Sequence, residues 1–124
     1  MTALQTVQKP HAEALPAAIQ KAADALAMAS LSPATLRAYR SDWSAFTAWC
    51  AGHAVAPIPA QPETVAAWVS ARMVAGKKAA SISRSVAAIS CAHEVAGLDG
   101  FGRSRKVLDA LRGMRRTIGT APTK

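Results

Sequence analysis

The sequence predicts an all-α protein, a compact bundle of four to five helices. Alanine occurs along the whole chain, and β-branched residues never alternate with polar ones over the length of a strand. Apolar residues instead recur at spacings of three and four, which is the period of a helix buried on one side. With 124 residues, the chain has the length of a single domain that can bury a core without metals or disulfides.

Two signals predict the first two helices. After a lead over residues 1–13 that we expect to be disordered, Pro16 suits a first helical turn. The spacing of Leu15, Ile19, Ala22, Leu26 and Ala29 then predicts a helix over about 14–29. Ser32 as N-cap and Pro33 behind it start the second helix, which is expected to reach about residue 51 with Gly52 as C-cap. Its apolar stripe is Leu36, Tyr39, Trp43, Phe46 and Cys50.

Three further helices follow a proline-rich loop that contains Pro57 and Pro59. The third helix is expected from Pro62 until Gly76 ends it, and the fourth over about 80–96, until Gly97. The fifth is expected over about 104–117, so that the helical domain spans 14–118 and residues 119–124 begin a linker. The expected inward residues are Val65, Trp68, Val69 and Arg72 or Met73 on the third helix, Ile82, Val86, Ile89, His93 and Ala96 on the fourth, and Val107, Leu111, Met114 and Ile118 on the fifth. The outer side of the fourth helix is expected to show Ser81, Arg84, Ser85 and Ala88.

The charge of the chain points to its class of partner. Fifteen Lys and Arg residues against seven Asp and Glu give a formal charge of +8, which favours a polyanionic partner or a membrane surface. Seven basic residues and one acidic residue lie between Arg103 and Lys124, so this segment carries +6 of that charge. No apolar run approaches the roughly 18 residues that span a bilayer, and the stretch "MTALQTVQKPHAEALP" lacks the apolar core of a secretory signal. We therefore expect a cytoplasmic protein with no membrane partner.

The sequence offers no catalytic constellation. Its carboxylates form no pair at a helical spacing, and no glycine-rich phosphate loop is present. His93 lies on a core stripe, which favours a packed, hydrogen-bonded histidine over a general base. Cys50 and Cys91 lie in apolar helical patterns without a ligand spacing such as CxxC, which favours buried thiols over a disulfide and argues against zinc. We therefore expect no enzymatic activity, no cofactor and no metal in this chain.

Binding is better supported, because two groups of hydrogen-bond donors lie near predicted helix starts. The first group is Arg37, Arg40 and Ser41, and the second is Lys77, Lys78, Ser81, Arg84 and Ser85. Cationic side chains and hydroxyls in such positions suit contacts with phosphates and groove edges. Charge alone leaves open that both groups are ordinary solvated helix faces. The three tryptophans lie at or near core positions, which favours packing over a role in base stacking.

Three stretches together resemble a known family. "SPATLRAYRSDWSAFTAWC" resembles the second helix of the core-binding, SAM-like domain of tyrosine recombinases, the phage-integrase and Cre-like family. "AQPETVAAWVSARMVAGKKAASISRSVAAISCAHEVAGL" is similar to that family's third and fourth helices. "VLDALRGMRRTIGTAPTK" looks like its last helix and the run into the interdomain linker. The resemblance covers about residues 32–124 and rests on several moderate motifs in the same order.

The resemblance implies one half of a C-shaped clamp around duplex DNA, with the second and fourth helices crossing the major groove. Carried over by position, the contacts fall on Thr35, Arg37, Ala38, Arg40, Ser41, Ala80, Ser81, Arg84 and Ser85. Lys77, Lys78, Arg105, Arg112 and Arg116 complete the expected DNA-binding set. Ala38 and Ala80 are short where relatives can carry longer side chains, which weakens the expectation of direct base readout there.

The resemblance does not extend to the family's catalytic half. That half brings a nucleophilic tyrosine, two arginines, a lysine and histidines, whereas the only tyrosine here is Tyr39, on the expected buried stripe. The resemblance implies a DNA-binding fragment of a recombinase, nucleoid-associated in the cytoplasm. Its expected partners are recombination-site DNA, the missing catalytic domain and neighbouring protomers. We expect the first helix to be the least firmly held and to make the contacts with the neighbouring protomers. The alternative is a small basic helical module that binds an acidic protein.

Overall fold

Five helices make up the computed structural model, which describes residues 16–119. They are α1 (Ala17–Ala29), α2 (Pro33–Gly52), α3 (Pro62–Val74), α4 (Ala79–Val95) and α5 (Arg105–Ile118). No strand occurs in this described range, and the predicted all-α fold class is confirmed. The predicted lead over residues 1–13 and residues 120–124 of the predicted linker lie outside the described residues.

Serine side chains cap two of the helix starts. Ser32 Oγ accepts a hydrogen bond from the backbone N–H of Thr35 at 3.1 Å, and Pro33 follows as the first residue of α2. Ser104 Oγ accepts from the N–H of Val107 at 3.3 Å at the start of α5. Each hydroxyl satisfies a donor that the first helical turn leaves without a partner. The predicted start of α2 is confirmed.

Glycines end α3 and α4 where the sequence placed them. Gly76 and Gly97 both have φ of 85°. The chain can therefore turn so that Leu98 N–H reaches the carbonyl of His93 at 2.8 Å. The predicted C-cap of α2 is wrong, because Gly52 is still helical and the residue with the left-handed backbone is Ala54, with φ of 56°.

The core is formed by the inner faces of α2 to α5. Its buried members are Phe46, Cys50, Val65, Trp68, Val69, Ile82, Val86, Ile89, Val107, Leu111 and Met114, with Ala60 and Phe101 from the loops. These include most of the predicted inward residues of α3, α4 and α5, and His93 is buried beside them. Arg72 and Met73 are only half-buried. The predicted burial of Ala96 and Ile118 is wrong, since Ala96 is the exposed C-cap of α4. Ile118 lies one turn beyond Met114 at the end of its helix and is 40% exposed. The first half of the predicted α2 stripe, Leu36, Tyr39 and Trp43, is only half-buried.

His93 joins the core to the proline-rich loop. Its Nε2 accepts a hydrogen bond from Ala60 N–H at 2.9 Å, and Nδ1 lies 2.9 Å from the carbonyl of Ile89, to which it donates in the matching tautomer. The imidazole is 1% exposed and both nitrogens have partners. The prediction of a packed, hydrogen-bonded core histidine is confirmed.

The helices pack in two main pairs, α3 with α5 and α2 with α4. Helix α1 contacts α4 less extensively, and one of these contacts joins Cys91 Sγ to Met28 Sδ at 3.1 Å. Most of the α1 stripe lies in solvent, since Ile19 is 54% and Leu26 is 73% exposed. The residues that the structure describes therefore leave the apolar side of α1 largely uncovered.

Candidate nucleic-acid interface

Helices α2 and α4 run in opposite directions where they meet. In the middle of the contact, Asp42 of α2 pairs with Arg84 of α4. Closer to the start of α2, Leu36 and Tyr39 line an apolar cavity of about 260 Å³ together with Cys91 and Val95, near the end of α4. The start of α2 thus lies beside the end of α4, and the start of α4 lies toward the end of α2.

This antiparallel order separates the two predicted groups of donors. Arg37 precedes Asp42 by five residues, and Lys78 precedes Arg84 by six. At about 1.5 Å per helical residue, Arg37 and Lys78 lie roughly 7.5 and 9 Å from the central ion pair, on opposite sides of it along the helix axes. Ser41 and Arg84 lie at the pair itself. The structure therefore spreads the donors along the paired helices and does not merge them into one cluster.

Exposure divides the predicted contact residues of this helix pair into three classes. Exposed side chains belong to Arg37, Arg40, Ser41, Lys77, Lys78 and Arg84, and half-buried ones to Thr35 and Ser81. Thr35 also takes part in the cap of α2, since Ser32 Oγ donates to Thr35 Oγ1 at 3.0 Å. Only Ser85 is buried.

The prediction that Ser85 and Ala88 lie on the outer side of α4 is wrong. Both are 3% exposed, and Ser85 Oγ accepts a hydrogen bond from Trp68 Nε1 at 2.8 Å. Ser85 lies one turn after Ile82 and one turn before Ile89, beside the buried stripe, so its hydroxyl faces α3. Its polarity suggested solvent, but its role is to satisfy a buried indole N–H, and we remove it from the candidate DNA contacts.

Asp42 is the residue that the sequence reasoning missed. The Nε of Arg84 lies 2.8 Å from Asp42 Oδ2, and its Nη2 lies 3.1 Å from Oδ1, which makes the pair bidentate. The Asp42 side chain is 13% exposed, against 46% for Arg84. The hydrogen bond to Asp42 and the charge of its carboxylate raise the pKa of Arg84. One signal was available: Asp42 lies one turn before the core residue Phe46, and a carboxylate at the edge of an apolar stripe calls for a cationic partner.

A second cationic surface lies on α5, which packs chiefly on α3. Arg105, Arg112 and Arg116 are exposed, and their spacing places them on one side of the helix, away from the buried Val107 and Leu111. Arg112 Nη1 pairs with Asp109 Oδ1 at 3.1 Å, and both side chains are more than half exposed. The α5 arginines therefore lie on a helix of the other main pair, apart from the helices that carry the first two groups of donors.

The tryptophans pack as expected. Trp68 is 2% exposed, and its ring centroid lies 5.6 Å from that of Phe46 and 5.2 Å from that of Trp49. The guanidinium of Arg72 lies 4.8 Å from the Trp68 ring centroid, which is a cation–π distance. These contacts use the aromatic faces inside the protein, so the rings serve the core.

The remaining chemistry is sparse. Cys50 is fully buried, and burial raises the pKa of its thiol, which keeps it neutral. The second cysteine, Cys91, is half-buried, so the expectation of two buried thiols holds fully only for Cys50. Among residues 16–119, no group of three or more His, Cys, Asp or Glu side chains could hold a metal ion. In the same range, no helix has both the length and the apolar character that a membrane crossing requires.

Comparison with known proteins places these helices in a family context. The model of the "Phage integrase, N-terminal SAM-like domain" family matches residues 24–96, which include all of α2, α3 and α4. A protein of Selenomonas ruminantium described as an integrase/recombinase xerD homolog is 40% identical over 89 residues. The alignment covers 69% of this chain and 26% of that relative. The chain thus spans about a quarter of the relative's length.

Proposed function

Because this chain belongs to the phage integrase N-terminal SAM-like family, we propose that it is the DNA-binding, core-binding domain of a tyrosine site-specific recombinase. It holds the duplex at one arm of the recombination site through α2 and α4. The observation that carries the proposal is the arrangement of the exposed cations. Two groups of them flank the contact between these antiparallel helices, and both groups lie inside the region that matches the family.

The cations of α2 and α4 suit phosphates on the two edges of a groove. Arg37 and Arg40 project from the first half of α2, and Lys77 and Lys78 stand directly before α4. The N-terminus of a helix attracts anions through its free N–H groups and its dipole. Ser41, Thr35 and Ser81 add hydroxyl donors at the same two places. The outermost cations of the two groups, Arg37 and Lys78, are separated by about 16 Å along the helix axes, somewhat more than the roughly 12 Å width of the major groove.

The α5 arginines supply a second set of contacts. Arg105, Arg112 and Arg116 lie on a different helix pair, so they bind phosphates that flank the groove occupied by α2 and α4. Such contacts carry no sequence information and mainly raise affinity. Arg112 contributes less than the other two, because the Asp109 carboxylate already compensates its charge.

In this proposal the domain binds DNA and the catalytic domain of the recombinase performs strand exchange in the cytoplasm. The only tyrosine of the chain, Tyr39, is half-buried and lines the apolar cavity between α2 and α4. A nucleophile must be free to reach a phosphodiester, whereas Tyr39 is half-buried at the contact between two helices. Neighbouring protomers on the same DNA complete the assembly.

A salt titration tests the proposal. Binding of a short duplex should weaken with salt, with a slope of log K against log salt of about −4 to −5, as for four to six neutralised phosphates. The double variant Lys77→Gln, Lys78→Gln should make the slope shallower by about 2. Lys21→Gln, which removes a cation exposed on α1, serves as the control and should leave the slope unchanged. A flat salt response, or no binding at low salt, would refute the proposed function.

A further inference from the structure

The central ion pair leaves part of the Arg84 guanidinium unused. A guanidinium carries five N–H groups, and Asp42 takes the one on Nε and one of the two on Nη2. The other Nη2–H and an adjacent Nη1–H form the neighbouring edge, a planar fork of two parallel donors. Because Asp42 holds the group in two places, this edge has a fixed direction.

The charge of the pair selects the kind of acceptor that fits this fork. Asp42 compensates the charge of Arg84, so a phosphate approaching the guanidinium would also meet the neighbouring carboxylate. A neutral group with two acceptors gains the hydrogen bonds without that repulsion. In the major groove, guanine presents such a pair in O6 and N7.

Small side chains surround the pair on the surface. Ala38 and Ala45 lie one turn before and after Asp42, and Ala80 and Ala87 stand in the same relation to Arg84. Ala45, Ala80 and Ala87 are exposed, and Ala38 is half-buried. Since these side chains end at Cβ, Arg84 projects beyond these four residues and the helices can approach the floor of a groove closely.

We propose that Asp42 positions Arg84 to read one guanine in the major groove, so that this pair determines base specificity while the flanking cations bind phosphates. The inference rests on the proposed function and adds to it the residue that selects sequence. Asp42 acts here as a positioning residue, since its own carboxylate is recessed and meets the base only through Arg84.

The test selects binding sites from duplexes with a randomised central segment, using the purified 124-residue chain. The natural chain should enrich a guanine at one position. Asp42→Asn should reduce that preference roughly tenfold or more, because the fork is no longer held for a bidentate contact. The same variant should bind a mixed-sequence duplex more tightly, with a salt slope steeper by about 1, since Arg84 is free to pair with a phosphate. A purely structural role for Asp42 would not produce this opposite pair of effects.

Two further variants complete the design. Asp109→Asn removes the same charge from the exposed ion pair with Arg112, and it should raise general affinity without changing the selected bases. Arg84→Lys keeps the charge but lacks the fork, so it should lose the guanine preference, and it provides the test if Asp42→Asn does not fold. A folded Asp42→Asn or Arg84→Lys variant that selects the same guanine as the natural chain overturns the inference. Duplex binding without any guanine preference overturns the inference alone, whereas no duplex binding at low salt refutes the proposed function as well.

Discussion

At the scale of single residues, burial decides what a polar side chain does. Ser81 and Ser85 lie one turn apart on α4 and have the same chemistry, yet one is half-buried and the other is 3% exposed. The buried serine holds the indole N–H of Trp68. An indole that loses its acceptor inside a core keeps the full cost of its desolvation.

We predict that Ser85→Ala destabilises the fold by about 1–3 kcal/mol, because Trp68 Nε1 is left without a partner. Urea unfolding followed by tryptophan fluorescence measures this. The protein that remains folded should bind duplex DNA as the natural chain does, since Ser85 does not reach the surface. Ser81→Ala is the matched control and should have a smaller effect on stability. Reduced DNA affinity with unchanged stability in Ser85→Ala would show that the hydroxyl contacts DNA after all.

At the scale of the elements, the end of α2 departs from the ends of α3 and α4. Each of the three helices closes with a hydrogen bond from the residue that directly follows its left-handed position. At α2 this bond joins Val55 N–H to the Cys50 carbonyl at 3.0 Å. The left-handed position is occupied by glycine in α3 and α4 but by Ala54 in α2. An alanine Cβ makes this backbone conformation unfavourable by about 1 kcal/mol or more. Gly52, two residues earlier, is the last residue of the helix and does not occupy the left-handed position.

Exchanging these two residue types should therefore stabilise the protein. Ala54→Gly relieves the left-handed strain, and Gly52→Ala raises helix propensity. Each change should raise the free energy of unfolding by about 0.5–1 kcal/mol. A Cβ at Gly52 would meet no atom within 4 Å, so the change carries no steric cost. Thermal unfolding of the double variant should show a higher midpoint. Gly97→Ala is the opposite control, since its φ of 85° should make that variant less stable. A lower midpoint for Ala54→Gly would contradict this description of the α2 terminus.

At the scale of the whole molecule, α1 is the helix that the bundle holds least. Its exposed Ile19 and Leu26 leave an apolar side open, whereas α2 to α5 bury theirs in a common core. One contact that holds α1 to the bundle is that of Met28 with Cys91. An apolar helix face of this kind can pack on a neighbouring protomer with little change in the rest of the fold.

Deletion of residues 1–30 should therefore leave a folded domain that still binds one DNA site. We expect the truncated chain to lose cooperative filling of two adjacent sites, because we expect the exposed apolar side of α1 to contact the neighbouring protomer. Circular dichroism reports the folding, and mobility shifts on duplexes with one and two sites report the cooperativity. Unfolding of the truncated chain would place α1 in the core. Unchanged cooperativity would place the protomer contact elsewhere.

The sequence by itself determined the helices and most of their buried faces. Ser32 with Pro33 marks the start of α2, and Gly76 and Gly97 mark ends, because capping and left-handed turns depend on residues within one or two turns. The three- and four-residue spacing indicated which side of α3, α4 and α5 faces inward. The family resemblance, now confirmed by the family match, also came from local motifs.

The tertiary structure alone decided which faces of different helices meet. Asp42 and Arg84 are 42 residues apart, and their pairing appears only when α2 lies antiparallel against α4. The burial of Ser85 depends on Trp68 of α3. Leu26 is exposed because none of the helices over residues 16–119 covers that side of α1. Helical periodicity fixes the direction of a side chain relative to its own axis, whereas its surroundings depend on how the helices pack around a shared core.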